Sequence, residues 1–192
     1  MAIVINGSGT VTGLAVGGLP DGTVDAGTLA TDSVTAAKLE ISAITSADLP
    51  ASSIVQVKSV RGNFTGDVAS TSTTYAELHT SLRNTFTPKF SNSTIICEYI
   101  ACSVGHSATF ITFRIYADGS NIDSVNATDM WRTNSTANGE STVNVYVEVP
   151  SWGTSAKVIS PYFASYASGT EVKGNYGGNN PYCFMKVTEV SA

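Results

Sequence analysis

Three short stretches mix aromatic rings with small polar residues: Met130-Trp131-Arg132, Ser151-Trp152-Gly153-Thr154, and the run from Asn175 through Tyr176, Asn179, Asn180 and Pro181 to Tyr182. The chemistry such stretches offer is recognition. Rings supply rigid contact area, while Asn, Ser and Gly supply adaptable hydrogen bonds. Sugar rings in particular stack on Trp or Tyr faces while their hydroxyls meet Asn and Ser. Trp131, Arg132, Trp152, Tyr176, Asn179, Asn180 and Tyr182 are therefore the candidate contact residues. The structural alternative is that Trp131 and Trp152 seal the ends of a folded domain or a contact between chains.

Catalysis has little to work with. His79 and His106 are the only histidines, and neither sits in a metal-type spacing such as His-x-x-x-His. Lone histidines in a Thr-rich setting are expected at the surface or in interface packing. The fifteen carboxylates are dispersed, and Asp118 and Asp129 lie in turn-like contexts. A glycan-cleaving spike would need two acids facing each other in a cleft. There is no Gly-x-Ser-x-Gly elbow, and Gly174-Asn175-Tyr176-Gly177-Gly178 reads as a turn rather than a phosphate loop. The chain is expected to be no enzyme, with no catalytic residue, metal ligand or cofactor. Cys97, Cys102 and Cys183 make no disulfide framework and read as apolar thiols, the first two on opposite faces of one strand.

Composition narrows the partners. The ten Lys and Arg are scattered singly and the net charge is −5, so the basic stripe of a nucleic-acid surface is missing. No run approaches the ~18 apolar residues of a membrane span. The opening MAIVINGSGT lacks the basic start and apolar core of a secretory signal, so synthesis in a cytoplasm is expected. Asn63, Asn92, Asn126 and Asn134 begin Asn-x-Ser/Thr sequons, which an Asn/Thr-rich composition explains.

These loops need a scaffold, and the second part of the chain reads as strands. The runs are Ile54–Val60, Tyr75–Leu78, Leu82–Phe86, Thr94–Val104, Phe110–Tyr116, Asn121–Val125, Val143–Val149, Lys157–Tyr166 and Tyr182–Val190. Thr94–Val104 is apolar enough to be buried on nearly both faces. In Phe110–Tyr116, Thr112, Arg114 and Tyr116 form a wet face, and Asp118-Gly119 is a tight turn. Strands at regular spacing predict an antiparallel β-sandwich, jelly-roll-like, over 54–192. An immunoglobulin-like sandwich is the other topology, without its Cys…Trp…Cys signature.

Residues 1–53 follow a different rule. Ala2–Ile5 and Thr10–Val16 flank Asn6-Gly7-Ser8-Gly9, either as a small hairpin or as an extended hook on a partner. From there every fifth residue is apolar: Leu14, Leu19, Val24, Leu29, Val34, Leu39, Ile44, Leu49 and Ile54. Five steps of an α-helix advance roughly 500°, which sprays such residues around the cylinder. In a strand, odd spacings alternate faces. A ten-residue unit does fit: Asp25, Thr35 and Thr45 are N-cap types, each preceded by a β-branched residue and followed four positions later by a leucine. That is the spacing of a hydrophobic staple around a short capped turn. One capped turn is unstable alone, and one apolar residue in five has no interior within its own chain. Sister chains around a shared axis would supply one, giving a homotrimeric shaft. Stacking as a solenoid within one chain is the alternative.

The opening through Val34-Thr35-Ala36-Ala37-Lys38-Leu39 resembles the N-terminal part of tail-fibre and other virion-fibre proteins of tailed phages. The stretch STSTTYAELHTSLRNTFTPKFSNSTIICEY, from Ser70 to Tyr99, and FRIYADGSNI, from Phe113 to Ile122, resemble a phage fibre head domain. Nothing after Val125 carries such a likeness. The resemblance implies a homotrimeric virion fibre made in a bacterial host. Its N-terminus would dock on another virion protein of tail or capsid, and its knob would contact a host surface glycan or protein. A capsid-attached head fibre or decoration protein is the alternative. A glycan-cleaving spike is the more remote one, since those are usually longer and built on repeats absent here.

Overall fold

The computed structural model describes residues 4–5, 11–12, 35, 45–106, 109–122, 139–175 and 183–192. Spatial proximity divides the chain into two units, Met1–Ile44 and Thr45–Ala192. In the first, strands β1 (Val4–Ile5) and β2 (Val11–Thr12) pair antiparallel, with Val4 opposite Thr12. Of hairpin and hook, the hairpin is the observed form. Leu14, Leu19, Val24, Leu29, Val34, Leu39 and Ile44 lie outside the described residues.

The second unit opens with a 3-10 turn, Ser46–Asp48. The Asp48 N–H donates to the Thr45 carbonyl at 3.1 Å. Its carboxylate in return accepts from the Thr45 N–H at 2.8 Å and the Thr45 hydroxyl at 2.7 Å. Those bonds, the backbone one foremost, hold the Asp48 carboxyl below the usual carboxylate range. The turn begins at the expected cap but stays a single 3-10 turn. Pro50 biases Leu49 away from helical geometry and ends it. Leu49 is half-buried and Ile54 is 68% exposed.

Eleven strands follow among the described residues: β3 (Ile54–Arg61), β4 (Val68–Ser70), β5 (Ala76–Glu77), β6 (Asn84–Phe86), β7 (Thr94–His106), β8 (Ile111–Ala117), β9 (Ser120–Asn121), β10 (Gly139–Val149), β11 (Lys157–Ser165), β12 (Val172–Asn175) and β13 (Phe184–Val190). All described pairings are antiparallel. One sheet runs β3-β13-β7-β12-β4, with β10 along the other side of β7. The second runs β5-β11-β8-β9, with β6 also on β11.

Alternation decides what fills the space between them. Ile95, Cys97, Tyr99 and Ala101 of β7 are fully buried, as are Met185 and Val187 of β13. From the other sheet come Ile111, Phe113, Ile115, Ile159 and Phe163. Tyr99 meets Phe113 across the layers at 5.5 Å, and Phe113 stacks on Phe163. The unit is an antiparallel β-sandwich, jelly-roll-like. Gly174 lets β12 approach closely, since a Cβ there would lie 2.3 Å from Leu78.

Several expectations shift. The run 75–78 contracts to β5, and 82–86 becomes a 3-10 turn, Thr80–Leu82, followed by β6. From residue 94 to 101, β7 has one fully buried and one half-buried face. The face of β8 expected to be wet is not: Thr112 is buried and Arg114 and Tyr116 are half-buried. Tyr116 stacks on Tyr162 with centroids 4.0 Å apart, and Arg114 lies over the Tyr75 ring at 4.3 Å. Tyr162 of β11 and Tyr75, just before β5, thus roof that face with their rings. Burial pushes the Cys97 thiol up to about 12, and Cys183 is buried too.

Candidate functional site

Of the seven candidate contact residues, Trp152 lies among the described residues; Trp131, Arg132, Tyr176, Asn179, Asn180 and Tyr182 lie outside them. Trp152 follows β10 in the segment 150–153 and packs its half-buried ring on the edge of the core. It therefore seals part of the sandwich end, as the structural alternative has it. It also forms a wall of an open groove of about 390 Å³, completed by Ala117, Asp118, Ser120, Ile122, Val149, Ser151 and Lys157.

Each wall is fixed by local backbone chemistry. Asp118 and Gly119 both have positive φ, 50° and 77°, the conformation a two-residue hairpin turn requires between β8 and β9. The Asp118 N–H donates to the Val158 carbonyl, and one carboxylate oxygen accepts from the Val158 N–H, each at 2.9 Å. The other oxygen sits 3.8 Å from the Lys157 ammonium. That ammonium in turn lies 5.9 Å from the Trp152 ring centroid. Ser120 and Ser151 are exposed beside them.

The Trp152 segment is held from behind. Ser151 adopts φ 53°, an uncommon value for a residue with a Cβ. Its N–H donates to the Ser93 carbonyl at 3.1 Å, and the Gly153 N–H donates to the Ser91 carbonyl at 3.2 Å. The 89–93 loop that supplies these carbonyls is itself clamped. Its anchor is Glu189, fully buried on the inward side of β13. The carboxylate accepts from the backbone N–H of Lys89 and of Phe90 at 2.9 Å, from the Ser93 hydroxyl at 2.8 Å and from the Gln56 amide at 2.6 Å. Positioning thus runs from Glu189 through the 89–93 loop to Trp152.

The aromatic at 152 is legible in the sequence as a contact residue. Asp118 is legible there only as a turn, and Lys157 only as the start of a strand. Glu189 gives no signal: alternation in MKVTEV puts it on the face of Met185 and Val187, but nothing local names the loop donors that a carboxylate there would need. Among the described residues no group of three His, Cys, Asp or Glu could hold a metal ion. None of the described helices is long and apolar enough to cross a membrane.

Comparison with known proteins adds little. No protein-family model matches the chain, and no curated protein matches it. It is similar to a chain in the structure of infectious bursal disease virus, Gx strain, at TM-score 0.39 and 15% identity. The match covers 71% of this chain and 36% of that one, so the chain spans about a third of that neighbour's length, and a likeness this slight carries no functional argument.

Proposed function

We propose that the chain is a non-enzymatic fibre of a tailed-phage virion, homotrimeric through its arm, with a β-sandwich knob that contacts the host surface. In this reading the N-terminal residues dock on another virion protein, of tail or capsid. The knob acts by binding alone, without cofactor, nucleic acid or entry into a bilayer. One observation carries the proposal: from Leu14 to Ile54 every fifth residue is apolar, a spacing that neither a helix nor a strand gathers onto one face. Sister arms around one axis would remove those side chains from water, which so sparse a line cannot do for itself. The likeness of residues 1–39 and 70–99 to phage fibres supports the virion setting.

Sedimentation equilibrium of the full chain tests it. Three chains per particle are expected, with dissociation when Leu29, Val34 and Leu39 are changed together to Ser. A monomer for the unaltered chain at micromolar concentration would sink the fibre reading.

A further inference from the structure

We infer that the groove beside Trp152 is a binding site for a neutral pyranose sugar. The inference rests on the host-contact reading above and gives that contact a place and a ligand class.

The groove is lined by apolar Ile122, Val149 and Trp152 and by polar Asp118, Ser120, Ser151 and Lys157. A pyranose presents the matching pair, a C–H face and a fringe of hydroxyls. The Trp152 ring, half-buried on the core with the Lys157 ammonium over it at 5.9 Å, supplies the apolar surface for the C–H face. Asp118 keeps one carboxylate oxygen on the Val158 N–H, which fixes the group and leaves the second oxygen toward Lys157, 3.8 Å away. Carboxylate and ammonium together form an acceptor beside a donor, suited to two adjacent hydroxyls of one ring. The exposed Ser120 and Ser151 hydroxyls extend the rim. A volume of about 390 Å³ falls in the roughly 300–1,000 Å³ range of small-molecule sites.

Charge selects the neutral class. Lys157, the cation at this rim, already faces Asp118, and the chain carries a net charge of −5. An acidic sugar would set its carboxylate against Asp118 with no second cation among the described residues that line the groove. Rigidity argues that the geometry is built rather than incidental. The residues on either side of Trp152 are bonded to the 89–93 loop, and that loop to Glu189. A preformed surface loses little freedom on binding, which matters for a ligand as small as one sugar.

Saturation-transfer NMR on the full chain tests this, with methyl α-glucopyranoside, methyl α-galactopyranoside and the methyl glycoside of N-acetylglucosamine as probes at tens of millimolar. At least one is expected to receive saturation on its ring C–H protons. Trp152→Ala should cut that signal at least fivefold, and Lys157→Ala severalfold, with Trp152→Phe retaining part of it. Methyl-region spectra report whether each variant folds. If Trp152→Ala does not, Lys157→Ala and Ser120→Ala decide, since both lie on the rim. Absence of transfer to all three glycosides, or equal transfer to wild type and to every folded variant, overturns the sugar site. Neither result bears on the fibre reading, which stands or falls with the sedimentation measurement.

Discussion

On β13, Glu189 turns into the sandwich and Lys186 turns out of it, and the chain treats the two charges differently. Around Glu189 the protein supplies four donors, two of them main-chain N–H groups from a loop about 100 residues away in sequence. Lys186 receives one partner, Glu98 on the adjacent β7, at 2.7 Å, with side chains 40% and 18% exposed. The second sheet's outer face pairs its charges in the same outward manner. There Arg83 meets Glu77 through two bonds of 2.7 Å, beside the stacked Tyr116 and Tyr162. The contrast separates two uses of charge. The inward carboxylate replaces water for a loop that has no strand to pair with. The outward pairs finish a surface that water could have finished as well.

The widest gap between the two regions should appear on removing Glu189. Glu189→Ala takes the acceptor from two part-buried backbone N–H groups and from the buried Ser93 hydroxyl, while the Gln56 amide keeps the Thr87 carbonyl, so a loss of about 3 kcal/mol in urea unfolding is expected. Cys97 reports the same event chemically. With its thiol pushed up to about 12 by burial, it should resist alkylation at pH 8 in the native protein and react far faster in the variant. A loss below about 1 kcal/mol would mean that water or a shifted loop can stand in for the carboxylate. The contrast would then collapse.

The outer face of the second sheet comes next. Replacing Tyr162 by Ala leaves Tyr116 without its stacked neighbour, and Phe there should restore most of the loss. The stack itself is worth about 0.5–1.5 kcal/mol beyond the area buried. If Tyr162→Phe costs as much as Tyr162→Ala in thermal unfolding, the hydroxyl rather than the ring holds that face.

How much of this can be read beforehand follows the same division. Alternation in β8, β10 and β13 predicts which residues enter the core, because one face of a strand must meet the other sheet. It does not say what covers the other face. Tyr116 and Tyr162 meet because Ser160 is opposite Tyr116 and Arg114 opposite Tyr162, a register no local pattern specifies. Strand β12 reads in sequence as a turn, since Lys173 and Gly174 lack β propensity; its place depends on Leu78 and Phe163 leaving room for a residue without a side chain. Trp152 is legible as a type of residue, and its groove is not, because Asp118 and Lys157 reach it from two other elements.

A smaller effect separates Glu77 from ordinary surface acids. Its bonds to Arg83, the largest cause, hold its carboxyl below the usual range. The folded-state value is therefore lower than the unfolded one. The associated stabilisation is fully present above the unfolded value and disappears as pH falls through the folded one. Wild type minus Glu77→Gln, followed by urea midpoints from pH 7 to pH 3, should narrow toward acid. The side chain is partly solvated, so the change is modest. A difference that stays level across that range would assign the effect to packing instead of charge.

The smallest effect expected is at Lys186 and Glu98. Because both ends reach solvent, a double-mutant cycle with Lys186→Met and Glu98→Gln should give a coupling of about 0.2–1 kcal/mol, shrinking in 1 M salt. Ile96, Ile100 and Phe184 sit half-buried on the same face, and whatever covers them would cover the ion pair as well. A coupling well above 1 kcal/mol that ignores salt would therefore show that this face is dry in solution. The distinction between inward and outward charges would then have to be redrawn: the outward pair would belong to a second interior, supplied by another copy of the chain.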